Sequence, residues 1–275
     1  MSSFRARLVA CAVLTGTLFG LLNPSALAQE KKSPKAEKKT YDFKEANKEM
    51  EYALFVPSTY DKEKKSPLII ALHGLGGNPQ QFIKTRGLME QAEKRGYIVA
   101  APMGYNERGW YGAPGLGLKG GKTDPENLRE LSEKDVMNVL ALVKKNHSVD
   151  PDRVYLMGHS MGGGGTFHIG LKHADEWAAL GPIARAIFGH KPAELEKIKG
   201  LPVIMVQGAK DPLVRPETVR PWADQMKKLE MTYEYIEVPD GDHGSVVAQN
   251  VPKIFDFFDK HQRKQKKVPE EKQEK

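Results

Sequence analysis

The 275-residue sequence predicts an α/β fold, a mostly parallel sheet covered by helices, on three observations. Strand-length apolar runs alternate along the chain with helix-compatible stretches, which is the pattern of strands laid side by side with helical crossovers. Several of those runs, such as Leu68-Ile69-Ile70-Ala71-Leu72, are apolar without alternation, as strands buried on both faces must be. Val154-Tyr155-Leu156-Met157 then passes through Gly158-His159-Ser160-Met161-Gly162 into a helix-compatible segment, Thr166 to His173, so a strand turns sharply into a helix there.

In chain order, strands are expected at 51–56, 67–72, 97–101, 153–157, 178–183, 202–206 and 233–238. The first six are dominated by apolar residues, whereas Tyr233-Glu234-Tyr235-Ile236-Glu237-Val238 alternates in the manner of a last strand. Helices are expected at 126–146, 166–173, 217–229 and 247–260. The segment between Gly181 and Gly200 is too short for a large lid domain.

The ends of the chain read differently. Arg5 and Arg7, the apolar run Leu8 to Leu22 and then Ala26-Leu27-Ala28 fit a secretory signal peptide at 1–28, cleaved after Ala28. That run is short for a membrane span, and a secreted or periplasmic location is the expectation. Cys11 is the sole cysteine, so a mature chain would rely on no disulfide. Residues 29–40 and 261–275, rich in Lys, Glu, Gln and Pro, read as a disordered charged linker and a disordered basic tail around a domain at 41–260. Residues 1–40 hold seven Lys or Arg against two Glu and residues 260–275 seven against three, so the formal +7 sits in the tails and the body is about −2. This excludes a nucleic-acid-binding body; solvated tails are the first reading of the charge, and weak association with an anionic envelope is the functional alternative.

Ser160, between Gly158 and Gly162, is the candidate nucleophile, because only glycines tolerate so tight a strand-to-helix turn. A serine hydroxyl is a poor nucleophile near neutral pH and needs an imidazole to take its proton. His243, in the turn-rich loop Pro239-Asp240-Gly241-Asp242-His243-Gly244, is the candidate base. Asp211, in Gln207-Gly208-Ala209-Lys210-Asp211-Pro212 after the sixth of these strands, is the candidate acid, with Asp240 and Asp242 as alternatives close in sequence. Trp110 and Tyr111, in the loop Gly104 to Gly121, are candidate substrate-pocket residues.

With Leu72-His73-Gly74-Leu75-Gly76-Gly77 and Asp150-Pro151-Asp152-Arg153-Val154-Tyr155 added, these segments make residues 50–258 resemble the α/β-hydrolase superfamily, among its secreted esterases related to polyhydroxybutyrate depolymerases and feruloyl esterases. The order Ser, Asp, His is the one used there. The resemblance implies an eight-stranded sheet, an oxyanion hole from the N–H groups of Leu75 and Met161, and cleavage of a small or polymeric carboxylic ester through an acyl-enzyme. No histidine-carboxylate cluster has zinc-site spacing and His-Glu-x-x-His is absent, so no metal is expected, nor any cofactor. His73 is expected to shape the oxyanion loop, His159 to pack beside the turn, and His168 and His173 to be ordinary helix residues.

A serine peptidase of the prolyl-oligopeptidase type, an acyltransferase and a non-catalytic binding protein on the same scaffold are the alternatives. Two other patterns fail. Gly121-Lys122-Thr123 lacks the glycine a phosphate-binding loop needs, Leu116 standing there, and Gly115-Leu116-Gly117-Leu118-Lys119-Gly120 follows no strand and opens no helix.

Overall fold

The computed structural model describes residues 35–115, 123–186 and 188–263. The signal-peptide expectation and most of both tails lie outside them. The eight strands are β1 (Glu37–Phe43), β2 (Lys48–Phe55), β3 (Ser66–Leu72), β4 (Ile98–Pro102), β5 (Val149–His159), β6 (Ala179–Ile183), β7 (Val203–Gly208) and β8 (Tyr233–Val238). They form one sheet in the order β1-β2-β4-β3-β5-β6-β7-β8. Strands β3 to β8 run parallel, while β2 is antiparallel to both β1 and β4.

Helices α1 (Pro79–Phe82), α2 (Leu88–Arg95) and α6 (Ser245–Asp259) cover one face, and α3 (Leu128–Asn146), α4 (Met161–Lys172) and α5 (Pro216–Lys228) cover the other. This two-sided cover explains the unbroken apolar strands. Leu68, Ile70 and Leu72 of β3 pack with Val136, Phe167 and Trp222, while Ile69 and Ala71 join the cluster of Leu88, Val251 and Phe255 on the opposite face. Between β6 and β7 the regular structure is a 3-10 segment, Pro192–Ile198, and among the described residues no lid domain stands over the sheet.

The structure corrects the sequence reading at both ends of the domain. Strand β1 begins at Glu37, inside the stretch expected to be a disordered linker, and pairs with β2 from Glu37↔Leu54 to Phe43↔Lys48. Its Lys and Glu residues lie along an edge, where charge discourages pairing with other chains, while Phe43 is buried and the Tyr41 hydroxyl donates to the buried Asp135 at 2.5 Å. At the other end, His261 to Arg263 belong to the domain, not the tail: the Tyr155 hydroxyl donates to His261 O at 2.8 Å and Arg263 N to Asp152 O at 2.8 Å. The short helices α1 and α2 were not expected from sequence either.

Helix α4, which follows the nucleophile turn, is fastened to α3 by a charged cluster. Glu133 accepts from His168 Nε2 at 3.2 Å, Lys172 Nζ at 2.9 Å and His173 Nε2 at 2.8 Å, so these two histidines do more than decorate a helix. Burial would raise the Glu133 carboxyl, but His168, His173 and Lys172 outweigh it and hold it at about 2. A depressed carboxyl stabilises the fold above its unfolded value near 4.5 and loses that contribution as pH falls toward about 2. At about 1.4 kcal/mol per unit, Glu133→Gln is expected to cost roughly 3 kcal/mol near neutral pH. Urea unfolding checks this: the gap between wild type and variant must shrink as pH is lowered through that window, and a gap independent of pH contradicts it.

Candidate active site

The nucleophile turn is built by close approach of backbones. A Cβ on Gly158 would stand 2.4 Å from Gly162 O, and one on Gly162 would stand 2.2 Å from Leu72 O, so neither position admits a side chain. Between them Ser160 is held at φ 57, ψ −116, in a region a non-glycine residue enters at a cost of about 1–3 kcal/mol. The turn is secured by Ser160 N donating to Ile183 O at 2.9 Å and by Ser160 O accepting from Ala186 N at 2.9 Å and Gly164 N at 3.0 Å. The hydroxyl is thereby carried above the carboxyl edge of the sheet.

Two loops from neighbouring strands meet it there. Ser160 Oγ lies 2.9 Å from His243 Nε2, and His243 Nδ1 lies 2.8 Å from Asp211 Oδ2. A carboxylate only accepts, so Nδ1 carries the imidazole proton and Nε2 offers its lone pair to the Ser160 hydroxyl. Asp211 is buried and oriented by its own loop: Oδ1 accepts from Leu213 N and Val214 N, both at 2.9 Å, and Oδ2 accepts from Gln207 Nε2 at 3.3 Å. The alternatives are engaged elsewhere. Asp240 is exposed and paired with Lys210 at 2.7 Å, and Asp242 accepts from Gly244 N and Ser245 N in its own turn.

Of the two expected oxyanion donors, Met161 is the first residue of α4, where the N–H has no acceptor within the helix and the helix dipole favours negative charge. In the loop after β3, Gly76 N donates to Glu107 O and Gly77 N to Gly74 O, which removes both as donors and keeps Leu75 as the loop's candidate. His73 braces that loop with its ring nitrogens 2.8 Å from Gly74 O and 2.9 Å from Met103 O, and burial pushes its pKa down.

A cleft of about 750 Å³ opens beside Ser160 and His243. Its apolar walls are Leu75, Phe82, Trp110, Phe188, Leu213 and Val214, with Asn78, Gln81 and Thr85 on a polar side. Trp110 lines it as expected and meets Phe188 edge-on at 5.4 Å. Tyr111 does not. It is fully buried, its ring packs on His73 at 5.6 Å and its hydroxyl donates to His73 O at 3.2 Å, so it supports the oxyanion loop from behind. Both residues have positive φ, 59 and 52, and both are buried, but of the two only Trp110 reaches the cleft. Sequence reasoning missed Phe82, Phe188 and Leu213. Leu213 left a usable signal, a large apolar residue in a turn-rich loop, and it is 73% exposed at the cleft mouth. A groove of about 830 Å³ at the amino-terminal ends of β6, β7 and β8 is larger, but neither Ser160 nor His243 faces it.

A mostly parallel sheet with a strained serine at the tip of a strand–helix turn, facing an imidazole and a carboxylate from the next loops, defines an α/β-hydrolase. The family follows from comparison: residues 44–245 match the Esterase family, and the chain belongs to it. It is similar to S-formylglutathione hydrolase of Rattus norvegicus, 31% identical over 145 residues that cover 49% of this chain and 51% of that protein. It is also similar to Feruloyl esterase B of Neurospora crassa, 31% identical over 111 residues, 38% of this chain and 35% of that one. The chain spans about half or less of the length of these relatives. Among solved structures, a ferulic acid esterase from Anaeromyces mucronatus in complex with ferulic acid shares the fold with TM-score 0.66 at 19% identity, over 83% of this chain and 90% of that chain.

Proposed function

We propose that the protein hydrolyses carboxylic esters through an acyl-enzyme on Ser160. The observation that carries this is the continuous chain from Ser160 Oγ to His243 Nε2, 2.9 Å, and from His243 Nδ1 to Asp211, 2.8 Å. As Ser160 attacks the ester carbonyl, His243 takes the hydroxyl proton and Asp211 stabilises the imidazolium that forms. The oxyanion faces the N–H groups of Met161 and Leu75, donors of a kind worth about 3–4 kcal/mol each. His243 then returns its proton to the departing alcohol, and a water activated by the same imidazole releases the acid.

The cleft's apolar walls favour an ester with an apolar acyl or alcohol group, and the absence of a lid domain over the described residues leaves room for bulky substrates. Feruloyl, acetyl and polyester substrates are within this reading, the first in keeping with the names of two of its relatives. Export and loose attachment to an anionic envelope through the basic tails belong to the same proposal and rest on the composition of the termini.

A fluorophosphonate probe tests the nucleophile. One adduct on the peptide containing Ser160 is expected from intact protein, and labelling elsewhere, or none, rejects the proposal.

A further inference from the structure

His243 works only while its loop, residues 239–244, holds the ring between Asp211 and Ser160. Several of that loop's bonds are local, with Gly241 N donating to Val238 O at 3.0 Å and Asp242 Oδ1 accepting from Gly244 N at 3.0 Å and Ser245 N at 2.7 Å. Lys210 N reaches Gly241 O at 3.0 Å and ties it to the Asp211 loop. A different bond ties it to the nucleophile turn. His159 Nε2 lies 2.7 Å from the main-chain oxygen of His243 itself.

A carbonyl oxygen only accepts, so His159 Nε2 carries the proton and Nδ1 the lone pair. Gly74 lies on the Nδ1 side of the His159 ring, where a Cβ would come 3.4 Å from Nδ1 and 3.4 Å from Ser160 Cβ. The two imidazoles stand 4.7 Å apart at 48°. Burial, and then the neighbouring His243, push the His159 pKa down to about 4. It is therefore neutral near pH 7, and no second cation opposes the imidazolium formed on His243 during turnover.

We infer that His159 is a positioning residue: the side chain just before the nucleophile grips the backbone of the base, so that the Ser160 turn and the His243 ring keep one fixed spacing. This rests on the reading of Ser160 and His243 as nucleophile and base. The grip acts on geometry, and small misplacements of a catalytic group lower kcat more than they change substrate binding.

Three variants test it on a nitrophenyl ester and by the rate of fluorophosphonate labelling. His159→Gln offers an amide N–H at a similar reach; His159→Leu and His159→Met fill the space without a donor. Expected are a loss of roughly 10–100-fold in kcat and labelling rate for Leu and Met, KM within about twofold, and kcat for Gln within about threefold of wild type. Wild-type kcat in the Leu or Met variant, or a Gln variant as impaired as Leu, overturns the inference. The wild-type protein supplies an arm independent of folding in the variants, because nitrogen NMR must find His159 as the Nε2–H tautomer from about pH 5 to 8, and the Nδ1–H tautomer overturns it. If wild type is not labelled on Ser160, the underlying reading fails; if it is, and the donor at position 159 makes no difference, only the role of His159 falls.

Discussion

Replacing Ser160 by alanine is expected to lower kcat for a nitrophenyl ester by about 10⁴–10⁶-fold while the protein stays folded. The hydroxyl gives Ser160 its bond to His243 Nε2, and the turn itself is held by main-chain bonds to Ile183, Gly164 and Ala186 that alanine keeps. Alanine also meets no larger steric demand at φ 57 than serine does. Some rate above water should survive, because the Met161 and Leu75 N–H groups remain aimed at a developing oxyanion. Hydrolysis by Ser160→Ala within tenfold of wild type, with circular dichroism unchanged, removes Ser160 from the chemistry.

Asp211→Asn should lower kcat by about 10³–10⁴-fold through the histidine tautomer rather than through lost charge alone. Both Leu213 N and Val214 N donate to Oδ1 of Asp211, so an asparagine settles with its oxygen on that side and its amide nitrogen toward His243. The amide then donates to Nδ1, the imidazole proton moves to Nε2, and Ser160 faces a donor where it needs an acceptor. KM should change little, since Asp211 is buried behind the histidine and does not line the cleft. Asp240→Asn is the matched control: its carboxylate is exposed on a surface ion pair, and activity should stay within about twofold of wild type. Nitrogen NMR of His243 reads the tautomer directly. An Asp211→Asn enzyme within tenfold of wild type, or one that keeps the proton on Nδ1, contradicts the assignment.

Most of the sheet was legible because its strands are buried on both faces, and two-sided burial leaves short apolar runs that alternate along the chain with helix-compatible stretches. Strand β1 was not, because an edge strand buries few residues; its Lys and Glu read as linker, and pairing with β2, the Tyr41–Asp135 bond and the burial of Phe43 distinguish it from one. The same logic applies to Trp110 and Tyr111. Adjacent aromatics in one loop gave no ground to separate them; in the fold Trp110 lines the cleft while Tyr111 is fully buried against His73.

What the sequence determined alone is what local sterics and burial determine: the order of β2 to β8 and of the four longer helices, the nucleophile turn at Ser160, where Gly158 and Gly162 leave no room for a Cβ, and the loops on which an acid and a base could stand. The position of Asp211, rather than Asp240 or Asp242, against the His243 ring, the bond between His159 and the His243 backbone and the leucine and phenylalanine walls of the cleft are visible only in the tertiary structure. Ser160 and His243 are 83 positions apart, and Asp211 and His243 are 32 apart. No pattern of spacing reports which side chains the loops of an open sheet bring within 3 Å, because that distance is set by the packing of the whole fold.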